Sequence, residues 1–234
     1  MSVNMTFKVR PEASARPSAW KLQKWGGLAA FLLAVAFIVA DAIYLTANLK
    51  DANGPLTYAL ADFLYGPVKA ACLVMVVYAL QEYIGVRAPR LMSLGRLAAV
   101  LSVGLFVLAA LLRATNRHYH LIHPELNLEH SVIVLTVWTT LVGGVIATGW
   151  HCLGWAFVFI GVAGWTSGRL PRALSVLYWV VGALSLFVYL LPVSEPEPGL
   201  LVAVLSIWQG IVLWRAESGE RPASQINTSQ GDLA

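Results

Sequence analysis

The sequence is poor in charge. Asp, Glu, Lys and Arg make up 12% of its 234 residues, about half of the roughly 25% usual in soluble domains. A water-soluble globule is therefore not expected. Cysteine is scarce. Cys72 and Cys152 both fall inside apolar runs, which excludes a disulfide framework and a paired CxxC metal motif. A cleavable leader is not expected either: the opening segment is polar and dotted with Pro11, Ser14, Pro17 and Ser18, and the first apolar run is too long for a leader core. It reads as a retained anchor. No GxSxG, P-loop, GxGxxG or HExxH pattern occurs, and no internal repeat is visible. The net charge of +4 is scattered over short loops, so nucleic acid is not an expected partner.

Long apolar runs are what the sequence has instead. Hydrophobic residues make up 58% of it, with nine tryptophans. A membrane crossing takes about 20 apolar residues to traverse roughly 30 Å of hydrocarbon. Five segments meet this directly, at about 25–46, 64–84, 95–113, 173–191 and 199–215. The apolar stretch from Ser131 to Thr166 is too long for one simple crossing, since as a single helix it would rise about 54 Å. Basic residues choose between one crossing and two. With one crossing and the N-terminus inside, twelve of the sixteen Lys and Arg fall on the inner side, including Arg87, Arg90, Arg96, Arg169, Arg172 and Arg215. Two crossings would place the Arg169–Arg172 turn outside. The expectation is therefore an all-α bundle of six transmembrane helices over residues 21–216, with the fourth crossing near 147–167. Residues 131–144 form an extra outer-surface or re-entrant helical segment, broken at Gly143–Gly144. Polar tails, 1–20 and 217–234, are expected to be disordered and cytoplasmic. The lipid bilayer is the first expected partner, and a bacterial inner membrane the expected location.

Tyr44, Tyr65 and Trp150 fall near the outer interface and Trp20, Trp25, Tyr83, Trp165 and Trp214 near the inner one, as aromatic belts do. Ala147, Gly154, Gly161 and Gly168 recur every seven residues, a seam along which another helix can approach closely.

The run GWHCLGWAFVFIGVAGWTSGRLPRALSVLYWVVGALSLFVYLLP, Gly149 to Pro192, resembles the bacterial membrane family designated domain of unknown function 4386. The likeness lies in a glycine-rich span, the turn Ser167-Gly168-Arg169-Leu170-Pro171-Arg172, and a second span with a central glycine, Gly182. It implies a multi-pass bacterial membrane protein and supplies no activity, cofactor or catalytic residue.

Ionisable side chains inside a bilayer are costly and mark functional sites by default. Asp41, Lys69 and His151 each lie about five residues from the outer end of a span, and Arg113 ends the third span on the same side. A bundle could gather them into a ligand-binding pocket open to the outside. The plainer alternative is an Asp41–Lys69 ion pair, or a Lys69 that snorkels to the headgroups. The loop RHYHLIHPELNLEH offers a second set, His118, His120, His123, Glu125 and His130, in number enough for a metal but without a recognised metal spacing. A solvated connection and a pH-responsive loop are its other readings. A haem would need facing histidines, and only His151 lies within a span. No cofactor is therefore specified. Three functions stay open: binding or transport of a small molecule or ion, a structural or regulatory protein acting through partners, and a metalloprotein or intramembrane enzyme using the histidine loop.

Overall fold

A computed structural model describes residues 19–47, 53–122, 128–187 and 196–216, with side chains described throughout except at 19–21, 117–122, 128–131, 135 and 196–198. Among the described residues there is no strand. Six helices follow in order: α1 Ala19–Thr46, α2 Gly54–Ile84, α3 Pro89–Ile122, α4 Leu128–Ser167, α5 Arg172–Leu186 and α6 Pro196–Arg215. The apolar runs are helical because an α-helix satisfies its own backbone groups without water. Four of the helices, α1 to α4, are long and apolar enough to cross a membrane, and α5 and α6 carry shorter apolar stretches. Large hydrophobics such as Leu32, Val35 and Ile38 stay exposed on the outward face of α1, the face a lipid-embedded bundle would turn to the acyl chains.

The helices close a ring. Each packs against the next in sequence, and α6 returns to α1. The middle of the ring is occupied chiefly by α2, which also meets α4 and α6. Small residues make the tightest approaches. A Cβ on Gly154 would lie 2.8 Å from the Gly182 carbonyl oxygen, and one on Gly182 would lie 2.9 Å from that of Gly154, so α4 and α5 touch backbone to backbone. Gly27 and Gly210 serve α1 and α6 in the same way.

Side chains clamp one end of the ring. Lys24 Nζ donates to the Trp214 carbonyl at 2.7 Å, satisfying the last turn of α6. Tyr83 donates to the Arg169 carbonyl at 3.1 Å, and Arg87 to that of Ser167 at 3.2 Å. The turn between α4 and α5 is thereby tied to the end of α2.

Three expectations are corrected. Residues 131–144 are not a separate helical piece broken at Gly143–Gly144, because α4 runs unbroken through both glycines. A helix-interior glycine costs about 1 kcal/mol relative to alanine, which does not outweigh the backbone hydrogen bonds of a 40-residue helix. The second helix begins at Gly54, ten residues before the expected span, with Pro55 pre-setting its first turn. Gly168 does not belong to the packing seam. It has φ +66° and closes α4 as a left-handed cap, while Gly154 and Gly161 make the close contacts with α5. The fifth helix is described to Leu186, and residues 188–191 of its expected span lie outside the described residues. Residues 19 and 20 of the expected first tail begin α1, and the rest of both polar tails lies outside the described residues.

Candidate functional site

The middle of α2 is irregular. Leu64–Val68 forms one π-helical turn containing Pro67. Proline lacks an N–H and crowds the preceding turn, and a wider turn absorbs that defect. Such π turns often sit at functional positions. Asp62 precedes this turn, Tyr65 lies within it and Lys69 follows it. All three are buried, Asp62 at 3% exposure and Lys69 at 2%.

Lys69 ends in an aromatic box. Its ammonium lies 3.1 Å from the ring centroid of Phe106, 3.6 Å from Tyr65, 5.0 Å from Phe37 and 5.4 Å from Trp150. These rings come from α3, α2, α1 and α4. Tyr65 meets Phe106 edge to face at 5.8 Å, and Phe106 meets Trp150 likewise at 5.5 Å. Phe37 closes the box, 6.0 Å from Trp150 and 6.2 Å from Tyr65. Trp150 Nε1 donates to the Tyr65 hydroxyl at 3.2 Å and fixes both rings. Gly149 leaves room for the Phe106 ring, which would lie 3.1 Å from an added Cβ. Burying an ammonium costs several kcal/mol. A desolvated ring face returns about 2 kcal/mol or more, so a box of four rings offsets much of that cost.

Beside the box lies a charge pair. Tyr44 OH donates to Asp62 Oδ1 at 2.5 Å, and Arg113 Nε lies 3.9 Å from the same oxygen. The guanidinium carbon sits 5.1 Å from the Tyr65 centroid and 5.3 Å from that of Tyr44. Tyr65 is thus the wall shared by both cations. The Arg113 side chain keeps 18% exposure and forms the rim of the cluster.

The candidates from sequence divide as follows. Lys69 and Arg113 are brought together, with Asp62 between the helices as the carboxylate the sequence reading missed. Asp41 borders the same cluster: it follows Phe37 by one turn of α1, and its Oδ2 lies against Gly199 in the first turn of α6. The missing Cβ at Gly199 allows that approach, and a helix N-terminus attracts the charge. His151 turns elsewhere. Trp155 Nε1–H donates to His151 Nε2 at 3.3 Å, so Nε2 is the acceptor and the proton lies on Nδ1, 3.3 Å from the Leu186 carbonyl on α5. Its neighbour Trp150 is the α4 residue that reaches the site. Aromatic rings surround the Lys69 ammonium.

Tyr44, Tyr65 and Trp150, read from sequence as interfacial belt residues, pack in this cluster. The metal set lies outside what the structure describes. His118, His120 and His130 are on helix ends whose side chains are not described, and His123 and Glu125 fall between α3 and α4. Among the described residues no group of three His, Cys, Asp or Glu could hold a metal ion. No family model matches the chain, and no curated protein or solved structure matches it.

Proposed function

We propose that this chain is a six-crossing protein of the bacterial inner membrane, with both termini cytoplasmic, that binds or transports a small molecule or ion at the Asp62–Lys69–Arg113 cluster. The observation that carries this reading is the burial of Asp62 and Lys69 within an apolar bundle, with Arg113 at the partly exposed rim. Hydrophobic residues of like volume would fill that space at lower cost, and intramembrane charges mark ligand and ion pathways by default. Their place at a π turn fits the same reading.

The ring arrangement supports six crossings, since α5 and α6 complete the circuit between α4 and α1. Lys24, Arg87, Arg169 and Arg172 lie toward the clamped end, opposite the charged cluster, in keeping with the excess of basic residues on cytoplasmic faces. Kinship with the domain of unknown function 4386 family rests on the run from Gly149 to Pro192.

The test is ligand retention and uptake. Native mass spectrometry of the purified protein should reveal a co-purifying small molecule or ion, and Asp62→Asn and Arg113→Gln should lose it. Folded variants that retain ligand and support uptake as the wild type does would reject this reading.

A further inference from the structure

The clamped end of the bundle carries a groove that lies apart from the charged cluster. Pro89, Arg90, Ser93, Leu94 and Leu97 line it, and its volume is about 490 Å³. It runs along the first turns of α3, and all five lining residues are exposed. The other face of the same turns is packed. Met92 and Ala99 are buried, and Gly95 leaves room for Ile160 and Phe159 of α4. Past the groove, Val100 and Leu101 continue the exposed apolar stripe.

The polarity of this stripe is graded. A guanidinium and a hydroxyl stand at one end, and leucines take up the rest. From Arg90 to Leu101 the helix rises about 16 Å. That matches the hydrocarbon depth of one leaflet, half of roughly 30 Å. Charge in the groove is of one sign. No carboxylate lines it, and among the described residues none pairs with Arg90. The flanking cations are engaged elsewhere. Arg87 donates to the Ser167 carbonyl at 3.2 Å, and the Arg96 guanidinium carbon lies 5.6 Å from the Tyr78 ring centroid. An arginine can hold phosphate oxygens through two parallel hydrogen bonds. Ser93, three residues on, shares the face of Arg90 and adds a hydroxyl donor.

We infer that this groove docks an anionic phospholipid of the inner leaflet, with its phosphate on Arg90 and Ser93 and an acyl chain along Leu94, Leu97 and Leu101. The inference rests on the proposed inner-membrane placement with the basic end cytoplasmic, and adds a lipid site distinct from the Asp62–Lys69–Arg113 cluster. A soluble anion would meet the guanidinium and leave the leucines uncovered, whereas a lipid covers both. A lipid seated here binds the folded bundle and therefore stabilises it.

The probe is dioleoyl phosphatidylglycerol, added to the purified full-length protein in dodecyl maltoside. Native mass spectrometry and thermal unfolding are the readouts, with dioleoyl phosphatidylcholine and inorganic phosphate as controls. Phosphatidylglycerol is expected to leave a retained adduct and raise the thermal midpoint, and neither control should match it. Arg90→Gln should bind phosphatidylglycerol about fivefold more weakly. Leu97→Gln should also bind it several-fold more weakly. Both residues are exposed, so the packed face of α3 is kept in both variants. Arg172→Gln, whose native side chain lies on Trp165, should bind as the wild type does. Absence of a phosphatidylglycerol adduct overturns the inference. Equal binding of phosphatidylcholine overturns it, because the charge is then not read. An equal midpoint shift with phosphate alone, or unchanged binding in Leu97→Gln, overturns it because the leucines then contribute nothing. Unchanged binding in Arg90→Gln, or the same loss in Arg172→Gln, overturns it because lipid is then held by diffuse charge. The placement and the lipid site fail separately. Labelling of Arg90→Cys from outside intact cells rejects the inner-leaflet placement, and absent binding in detergent rejects the lipid site alone.

Discussion

Asp62 is the residue on which the cluster's charge balance turns. It accepts from Tyr44 and faces Arg113, so its removal leaves a largely buried guanidinium without that carboxylate. Breaking a buried pair from one side costs about 3–5 kcal/mol, whereas a hydrogen bond to a charged group is worth about 1.5–3 kcal/mol. Asp62→Ala should therefore lower the thermal midpoint in detergent clearly more than Tyr44→Phe. Equal midpoints would show that the pair contributes nothing. Three of the site's charged side chains were legible in the sequence as ionisable groups within or at the end of apolar runs: Asp41, Lys69 and Arg113. Asp62 was not, because the apolar count for its span began at Leu64, just past it. The signal was present in its spacing, seven residues before Lys69 and flanked by Ala61 and Phe63. The aromatic walls were hidden for another reason. A ring near the end of a span looks alike from sequence whether it faces headgroups or the bundle interior. Only the helix face separates Trp150 in the box from His151 beside Trp155.

Glycine has opposite meanings in different parts of the same helix. On α4, Gly154 meets the α5 backbone, while Gly143 and Gly144 have nothing within 4 Å of an added Cβ. Gly154→Ala should destabilise the protein by about 1–3 kcal/mol, the usual cost of overpacking. Gly143→Ala and Gly144→Ala should each stabilise it by about 0.5–1 kcal/mol, since alanine orders the helix at no steric cost. Thermal unfolding followed by circular dichroism checks both signs. A third change, Gly168→Ala, puts a side chain at φ +66° and should cost about 1–2 kcal/mol. The seven-residue spacing found the seam correctly at Gly154 and Gly161, yet it could not tell packing from capping at Gly168. The expected break at Gly143–Gly144 failed for a related reason. Glycine weakens a helix in water, but in an apolar surround an unpaired backbone costs more than the glycine does. The π turn at Leu64–Val68 had a visible cause in Pro67, although sequence alone does not say whether proline will kink, break or widen a helix.

The six-helix circuit makes a statement about sidedness that labelling can check. In a background lacking Cys72 and Cys152, Thr136→Cys on exposed α4 should react with a membrane-impermeant maleimide in intact cells. Arg90→Cys and Arg215→Cys should react only after permeabilisation. Labelling of Arg215→Cys in intact cells would mean that α5 and α6 do not both cross. The all-α architecture and most helix positions could be read from apolar runs and basic loops, because lipid leaves the chain few alternatives. The order of the ring could not, since it depends on which small residues meet.

The Lys24–Trp214 hydrogen bond, described above as a clamp, also fixes where the chain enters and leaves the bundle. Both points lie side by side at one end, where the last turn of α6 meets the first turns of α1. Two groups attached at these helix ends are therefore neighbours, close enough for one bivalent ligand to hold both.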